Sequence, residues 1–301
     1  MADEKKESRV AKKKLRPCGD AYRIKEADSM HLFMPYLLPN RADNEAFLCQ
    51  KIDLTDALAY LERLNAANPA HRYTIFHLIC ASLAKTVTLR PKLNRFYAGY
   101  RYYQREKISF SFVAKKQFSD ESHESMVILS VDPTSHDAPV TSIHEAICEK
   151  VYPIKAGHDD EATDIMSTLV KMPRPILKLF TWGINVMEYY GILPKSFCAV
   201  DPYHATVFIT NLGSIKMQAG YHHLANWGTN SVFLTIGEIK EEPIYQKDGT
   251  VVWHKMIELG YTLDERIADG YYYSRTLKLV EQLLTHPELL EQPLCDPVDF
   301  E

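Results

Sequence analysis

Apolar residues recur along this chain with two spacings, and the spacing changes mark its elements. Gln50 to Leu54 alternates apolar and polar, as a half-buried strand does. Thr55 can cap the helix that follows over Asp56 to Asn65, with Leu58, Leu61 and Leu64 on one face. Tyr73 to Leu89 is apolar at helical spacing and long enough for a core helix. YRYYQREKISFSFVAKK predicts two strands joined by a polar turn near Gln104 to Lys107, and Ser125 to Val131 a third. Thr141 to Tyr152 and Asp160 to Lys171 read as helices, and Pro173 and Pro175 then break the pattern. Ile176 to Leu193 is the greasiest segment. Lys178, Asn185 and Glu188 interrupt it, so it predicts a largely buried helix and not a membrane span. Ala205 to Asn211 and Ser231 to Lys240 read as strands. Asp248–Gly249 is a turn signal between two alternating runs, which predicts a hairpin. A final helix opens at Gly270 and runs to about Thr285, with Leu277, Val280 and Leu284 on a common stripe. At the other end, Pro35 and Pro39 predict turns within a mixed stretch from Val10 to Leu38. Strands interspersed with helices, and a late hairpin, predict one α/β domain with a mixed sheet over residues 16–301. Residues 1–15 alternate Lys/Arg with Asp3, Glu4 and Glu7 and predict a solvated tail.

Composition adds exclusions. The 301 residues are 46% hydrophobic and 25% charged, with a formal net charge of −4. That balance supports a sizeable core and gives no reason to expect nucleic acid. The N-terminus lacks the apolar stretch of a secretion signal. The six cysteines show no CxxC spacing and no cluster with histidine at metal-ligand spacing. Reduced thiols, a cytoplasmic location, no metal and no membrane partner are the resulting expectations.

The chemistry concentrates in LDERIADG, Leu263 to Gly270. Two earlier pieces accompany it in order, FITNLGSI (Phe208 to Ile215) and VFLTIGEI (Val232 to Ile239). Together they resemble the catalytic domain of the 2-oxo acid dehydrogenase acyltransferases and, through it, the chloramphenicol acetyltransferases. In that family the corresponding segments are a strand-turn of the form Thr/Leu-Ser-Asn-Ile/Leu-Gly, a strand ending in Gly, and an Asp-His-Arg-x-x-Asp-Gly signature. Upstream, TIFHLICASLAKTVTLRPKLN is similar to the family's buried helix ending in Pro-x-Leu/Ile-Asn. The resemblance extends over most of Arg16 to Leu290.

It implies a two-layer α/β fold, acyl transfer between coenzyme A and a thiol, hydroxyl or amine acceptor, and a homotrimer with its site between subunits. Asp264, Arg266, Asp269 and Gly270 match the signature, Asp269 and Arg266 as residues that hold the loop. Asn211 and Gly213 match the strand-turn. Thr210 stands at the position of a serine that stabilises the oxyanion, and it keeps a hydroxyl. Glu265 stands where the family has its histidine base. The resemblance shows no lipoyl module or linkers, so a freestanding domain acting on a diffusible acceptor or another protein's lipoyl group is expected.

Simple pKa arithmetic defines the difficulty. Proton transfer from a thiol of pKa about 8.5 to a carboxylate of about 4.3 is uphill by about 5.7 kcal/mol, against about 2.7 for a histidine. Burial of Glu265 would narrow that gap. Arg266 beside it on a strand would face the other way and could pair with Asp269. His222 and His223, in the connection after Thr210, are candidate replacement bases, oriented by Glu265 as carboxylates orient imidazoles in hydrolytic triads. Their other reading is a structural pair in a loop. Asp269 before Gly270 also reads as a plain helix cap. The competing function is a catalytically inactive trimeric binding or scaffold protein of the same fold, for which the Glu265 substitution speaks.

Overall fold

The computed structural model describes residues 21–115, 124–156 and 168–300. The segments 1–15 and most of Asp160 to Lys171 therefore lie outside it. The main sheet has seven strands: β2 (Glu45–Asp53), β5 (Ile108–Lys115), β6 (Glu124–Val131), β7 (Val207–Asn211), β8 (Val232–Ile236), β9 (Lys240–Tyr245) and β10 (Val251–Asp264). Its order is β2-β10-β8-β7-β5-β6, with β9 also on β10. The β5–β7 and β7–β8 pairs are parallel and the rest antiparallel, so the sheet is mixed. The expected hairpin forms, Tyr245 facing Val251 across the Asp248–Gly249 turn.

Alternation along β10 sorts its side chains. Ile257, Leu259, Tyr261 and Leu263 enter the main core, where helices α2 (Thr55–Ala66), α3 (Ile75–Leu89), α4 (Pro139–Lys155) and α7 (Gly270–Thr285) cover the sheet. The intervening Glu258, Gly260, Thr262 and Asp264 belong to the second face. There the connection from Leu212 to Asn230 lies across the strands. Leu224 packs with Phe208 and Phe233, and the His222 ring stacks on Phe233 at 4.0 Å.

A smaller sheet, β1 (Ala21–Arg23), β4 (Arg101–Arg105) and β3 (Arg95–Ala98), stands beside the first. The β3–β4 hairpin turns through Gly99 and Tyr100, both with positive φ. A Cβ on Gly99 would lie 2.0 Å from the Tyr189 carbonyl oxygen, so only glycine fits.

Three readings of the sequence need correction. Pro35 does not mark a turn; it sits inside helix α1 (Ser29–Leu37), whose N-cap is the Asp28 carboxylate. Thr55 is the first helical residue of α2, and its backbone N–H and hydroxyl both meet Asp53 Oδ1. Ile176 to Leu193 is not a buried helix. Helix α5 (Arg174–Tyr190) buries Ile184 alone, and Leu179, Trp182 and Tyr190 are exposed. Length and mean hydropathy cannot tell a core helix from one whose apolar side is left uncovered. A short helix, α6 (Lys195–Val200), then leads to β7.

Candidate functional site

The Asp264–Gly270 turn is built to hold one side chain outward. β10 ends at Asp264, whose carboxylate is fully buried and accepts from Arg266 Nε at 2.8 Å and from Nη2 at 2.7 Å. The expected Arg266–Asp269 pair does not form. The chain leaves the strand directly after Asp264, so the opposite-face rule stops applying and Arg266 folds back two residues. Arg266 Nη1 also donates to the carbonyls of Leu38 and Pro39. A second guanidinium, Arg41, places Nε 3.9 Å from Asp264 and donates through Nη1 to Ala225 O at 2.9 Å. Burial pulls the Arg41 pKa down to about 10 although Asp264 acts against it.

Three tyrosine hydroxyls grip the backbone of the same turn. Tyr273 donates to Asp264 O at 2.7 Å and Tyr102 to Ile267 O at 2.7 Å, while the Tyr97 hydroxyl lies 3.1 Å from Arg266 O. Burial raises all three phenol pKa values, so they remain neutral donors. Ile267 and Ala268 are buried. Asp269 accepts from Tyr272 N at 2.8 Å and caps α7, in keeping with its plain reading as a cap. Gly270 begins the helix with open space where a Cβ would be. Glu265 alone among the turn's residues 264–268 is exposed, its backbone N–H bound to Asn44 O at 2.8 Å.

The two histidines reach the same end of the sheet by way of Glu45, the register partner of Asp264. Glu45 accepts from Tyr221 Oη and from Leu224 N, the residues that flank the pair. Thr262 Oγ1 donates to His222 O at 2.5 Å. Both imidazoles are exposed, and each turns Nδ1 to a carbonyl: His222 to His223 O at 3.3 Å and His223 to Leu224 O at 3.2 Å. A carbonyl only accepts, so in both contacts Nδ1 is the donor and Nε2 is the nitrogen left facing outward. Among the described residues neither ring hydrogen-bonds Glu265.

Thr210 sits elsewhere. Its register partner on β8 is Thr235, which faces Gly260 on β10. Four residues of β10 separate Gly260 from Asp264, about 14 Å at 3.4 Å per residue, and two strand spacings of about 4.8 Å separate β7 from β10. Thr210 and the Glu265 turn are thus roughly 17 Å apart in one chain. The Thr210 hydroxyl is half-buried and has no hydrogen-bond partner among the described residues. Below it, Asn211 accepts from Ser214 N at 3.3 Å and closes the turn. Gly213 lies so near the next strand's end that a Cβ would fall 2.4 Å from Gly237 O.

His77, His144 and Cys148 form a buried cluster with ligand-type atoms within 4.8 Å of one another. Its donor set does not suit a metal. His77 Nδ1 accepts the Thr74 backbone N–H at 3.0 Å, so Nε2 holds the ring proton and has no lone pair to offer. The rings of His144 and Tyr73 stack at 3.7 Å, which makes this cluster part of the α3–α4 packing.

Sequence reasoning missed Tyr97, Tyr102, Tyr273, Arg41, Asn44 and Glu45. The clustered tyrosines were visible as a pattern, but nothing local told which carbonyls their hydroxyls would meet.

Residues 198–291 match the family model described as 2-oxoacid dehydrogenases acyltransferase (catalytic domain). No curated protein matches the chain by sequence. Among solved structures, the fold is similar to that of a probable dihydrolipoamide acetyltransferase from Listeria monocytogenes, with a TM-score of 0.57 and 14% identity over 87% of this chain and 95% of that one. It is also similar to the Azotobacter vinelandii dihydrolipoamide acetyltransferase (TM-score 0.56, 14% identity, 89% and 93% covered). A truncated catalytic core of the Thermoplasma acidophilum 2-oxoacid dehydrogenase complex gives 0.52 and 15% identity, with 88% and 98% covered.

Proposed function

We propose that this chain, which carries the 2-oxo acid dehydrogenase acyltransferase fold and matches that family's model over residues 198–291, transfers an acyl group between coenzyme A and a thiol, hydroxyl or amine acceptor. One observation supports the reading above the rest. Two buried guanidiniums, a buried carboxylate and three tyrosine hydroxyls hold the Asp264–Gly270 turn, which leaves the Glu265 side chain exposed at the end of the sheet that the His222–His223 segment also reaches. Burying such charges is unfavourable unless they are paired and hydrogen-bonded; Asp264 and Arg266 bond each other, and Arg41 lies 3.9 Å from the same carboxylate with Nη1 donating to Ala225 O.

The site is shared between copies. Thr210 and Glu265 are too far apart to act together in one chain, so Thr210 of one copy would face the Glu265 turn of the next, as in a trimer. In that arrangement the His222 or His223 Nε2 takes the acceptor's proton, with Glu265 at the same end of the sheet to favour the resulting imidazolium. The Thr210 hydroxyl donates to the tetrahedral oxyanion, and Asp264, Arg266 and Asp269 hold the turn. An imidazole at about 6.5 lies closer than a carboxylate at about 4.3 to the thiol's 8.5, which is why the proton is assigned to histidine.

The test is release of free coenzyme A from short-chain acyl-CoA, with acceptors of each class, comparing Glu265→Gln, His222→Ala and His223→Ala. Activity that falls by tenfold or more in at least one histidine variant supports the assignment. Unchanged turnover in all three removes these residues from the chemistry.

The glutamate at the histidine position favours a second reading, an inert trimeric binding protein of the same fold. It predicts no turnover in the parent with any acceptor, and activity gained on Glu265→His.

A further inference from the structure

His204 is a titratable group that the proposed chemistry does not use, and its side chain is only 1% exposed. The ring lies between two carboxylates from different elements. Nε2 is 3.0 Å from Glu188 Oε2 on α5, and Nδ1 is 3.1 Å from Asp201 Oδ2, in the link between α6 and β7. Whichever ring nitrogen lacked a proton would turn its lone pair toward a carboxylate oxygen. Both nitrogens therefore carry one, and the ring is an imidazolium. Losing that charge would leave a carboxylate buried without its cation, which is costly. Two other cations face the group. Arg105 on β4 donates through Nη2 to His204 O at 3.2 Å and to Thr229 Oγ1 at 2.7 Å. Arg41 feels the Glu188 carboxylate, which acts with Asp264 to keep that guanidinium charged against burial.

Each carboxylate leads to a different half of the candidate site. Asp201 Oδ2 also accepts from Trp227 Nε1 at 2.6 Å, and Trp227 belongs to the connection that carries His222 and His223. The end of that connection is fastened beside His204, where Tyr203 O accepts from Thr229 N and from Asn230 N, both at 2.9 Å. Glu188 leads the other way. Its field falls on Arg41, which lies 3.9 Å from Asp264 at the root of the Glu265 turn and donates to Ala225 O. One buried proton-bearing ring thus stands between the two pieces of chain that present Glu265 and the histidine pair.

We propose that His204 is a positioning residue: held as an imidazolium between Glu188 and Asp201, it ties the Glu265 turn to the connection that carries His222 and His223. Only its effect on rate rests on the acyl-transfer reading; the tie itself would exist in an inert protein. Carboxylates on both sides favour the charged ring. The contribution is therefore complete below the unfolded histidine value of about 6.5 and is lost as pH rises and the folded ring gives up its proton.

The test reads charge and tie separately in the full chain. Nitrogen-15 NMR of histidine-labelled protein, with His204 assigned by the signal missing from His204→Gln, shows both ring nitrogens protonated at pH 7.5, where an ordinary histidine is about nine-tenths neutral. Hydrogen exchange, corrected for intrinsic rates, follows residues 221–230 and 264–269 against α3 as the internal standard. His204→Gln lowers the protection of both segments at least tenfold at pH 7. In the wild type their protection falls only over the pH range in which the ring loses its proton, and the variant shows no such step. If the wild type releases coenzyme A, kcat drops at least tenfold in His204→Gln with KM within about twofold. A wild type without turnover defeats the acyl-transfer reading and leaves NMR and exchange to decide this one. Should His204→Gln fail to fold, Glu188→Gln, at a side chain 15% exposed, takes its place and loosens residues 264–269 at least fivefold. A neutral ring at pH 7.5, or exchange of these segments unchanged by the substitution or by loss of the proton, overturns the proposal.

Discussion

The Thr210 hydroxyl and the Glu265 carboxylate, neither with a hydrogen-bond partner among the described residues, are the two side chains on which the proposed chemistry turns. Thr210→Val keeps the β-branched shape that β7 favours and removes the donor. It should lower kcat by a factor of about 10² to 10³ with little change in KM, measured as coenzyme A release. The glycines separate structure from chemistry at the same scale. Gly213→Ala drives a Cβ against Gly237 O and should lower the unfolding midpoint, whereas Gly270→Ala meets open space and should hold or raise it by about 0.4–1 kcal/mol in stability. Chemical denaturation of the two variants side by side checks this. A third residue sets a pH dependence. Burial, with His144 nearby, depresses the folded pKa of His77 to about 4, below its unfolded value of about 6.5. A depressed pKa means the unfolded chain binds the proton first, so this contribution is present above pH 6.5 and is lost as pH falls from there to about 4. His77→Asn keeps an acceptor for Thr74 N–H and should flatten unfolding free energy against pH in that window.

Among elements, β10 and the turn after it carry the candidate site, and buried ionic groups hold that turn. Asp264→Asn leaves Arg41 and Arg266 buried with a neutral amide and should destabilise by about 3–5 kcal/mol, read by urea unfolding. Exposed Glu265→Gln should leave the unfolding midpoint unchanged, so the two substitutions distinguish the scaffold from the group it presents. Element boundaries were legible where local signals agree. α7 starts at Gly270 and ends at Thr285 because Asp269 caps it and its stripe of Leu277, Val280 and Leu284 has one face to bury. α5 was legible as a helix but not by its surroundings, since apolar periodicity says which side wants covering and not whether the fold covers it. The polar turn between β4 and β5 was visible too. That it carries the chain from the small sheet to the large one was not, because strand pairing is settled by partners far away in sequence.

At the scale of the whole molecule, the register of three strands separates Thr210 from the Glu265 turn and motivates the proposal of a site shared between copies. Two assemblies, one carrying Thr210→Val and one Glu265→Gln, each depressed alone, should recover part of the wild-type coenzyme A release after being mixed through reversible dissociation. Two copies can supply one intact pair between them. Recovery no greater than the average of the parents would place the whole site within a single chain. The candidate residues were legible because motifs are local in sequence: the spacing of Asp264, Glu265, Arg266, Asp269 and Gly270 can be read without coordinates. So could the mixed α/β class, from the succession of periods two and 3.6. Which tyrosine steadies which carbonyl, which nitrogen of each histidine is free, and which helix is left bare depended on contacts between residues tens to hundreds of positions apart. A chain's pattern specifies what each segment must bury. Only closure of the tertiary structure assigns the partner, because hydrogen bonds and packing are satisfied jointly, by whichever groups the whole fold brings within a few ångströms.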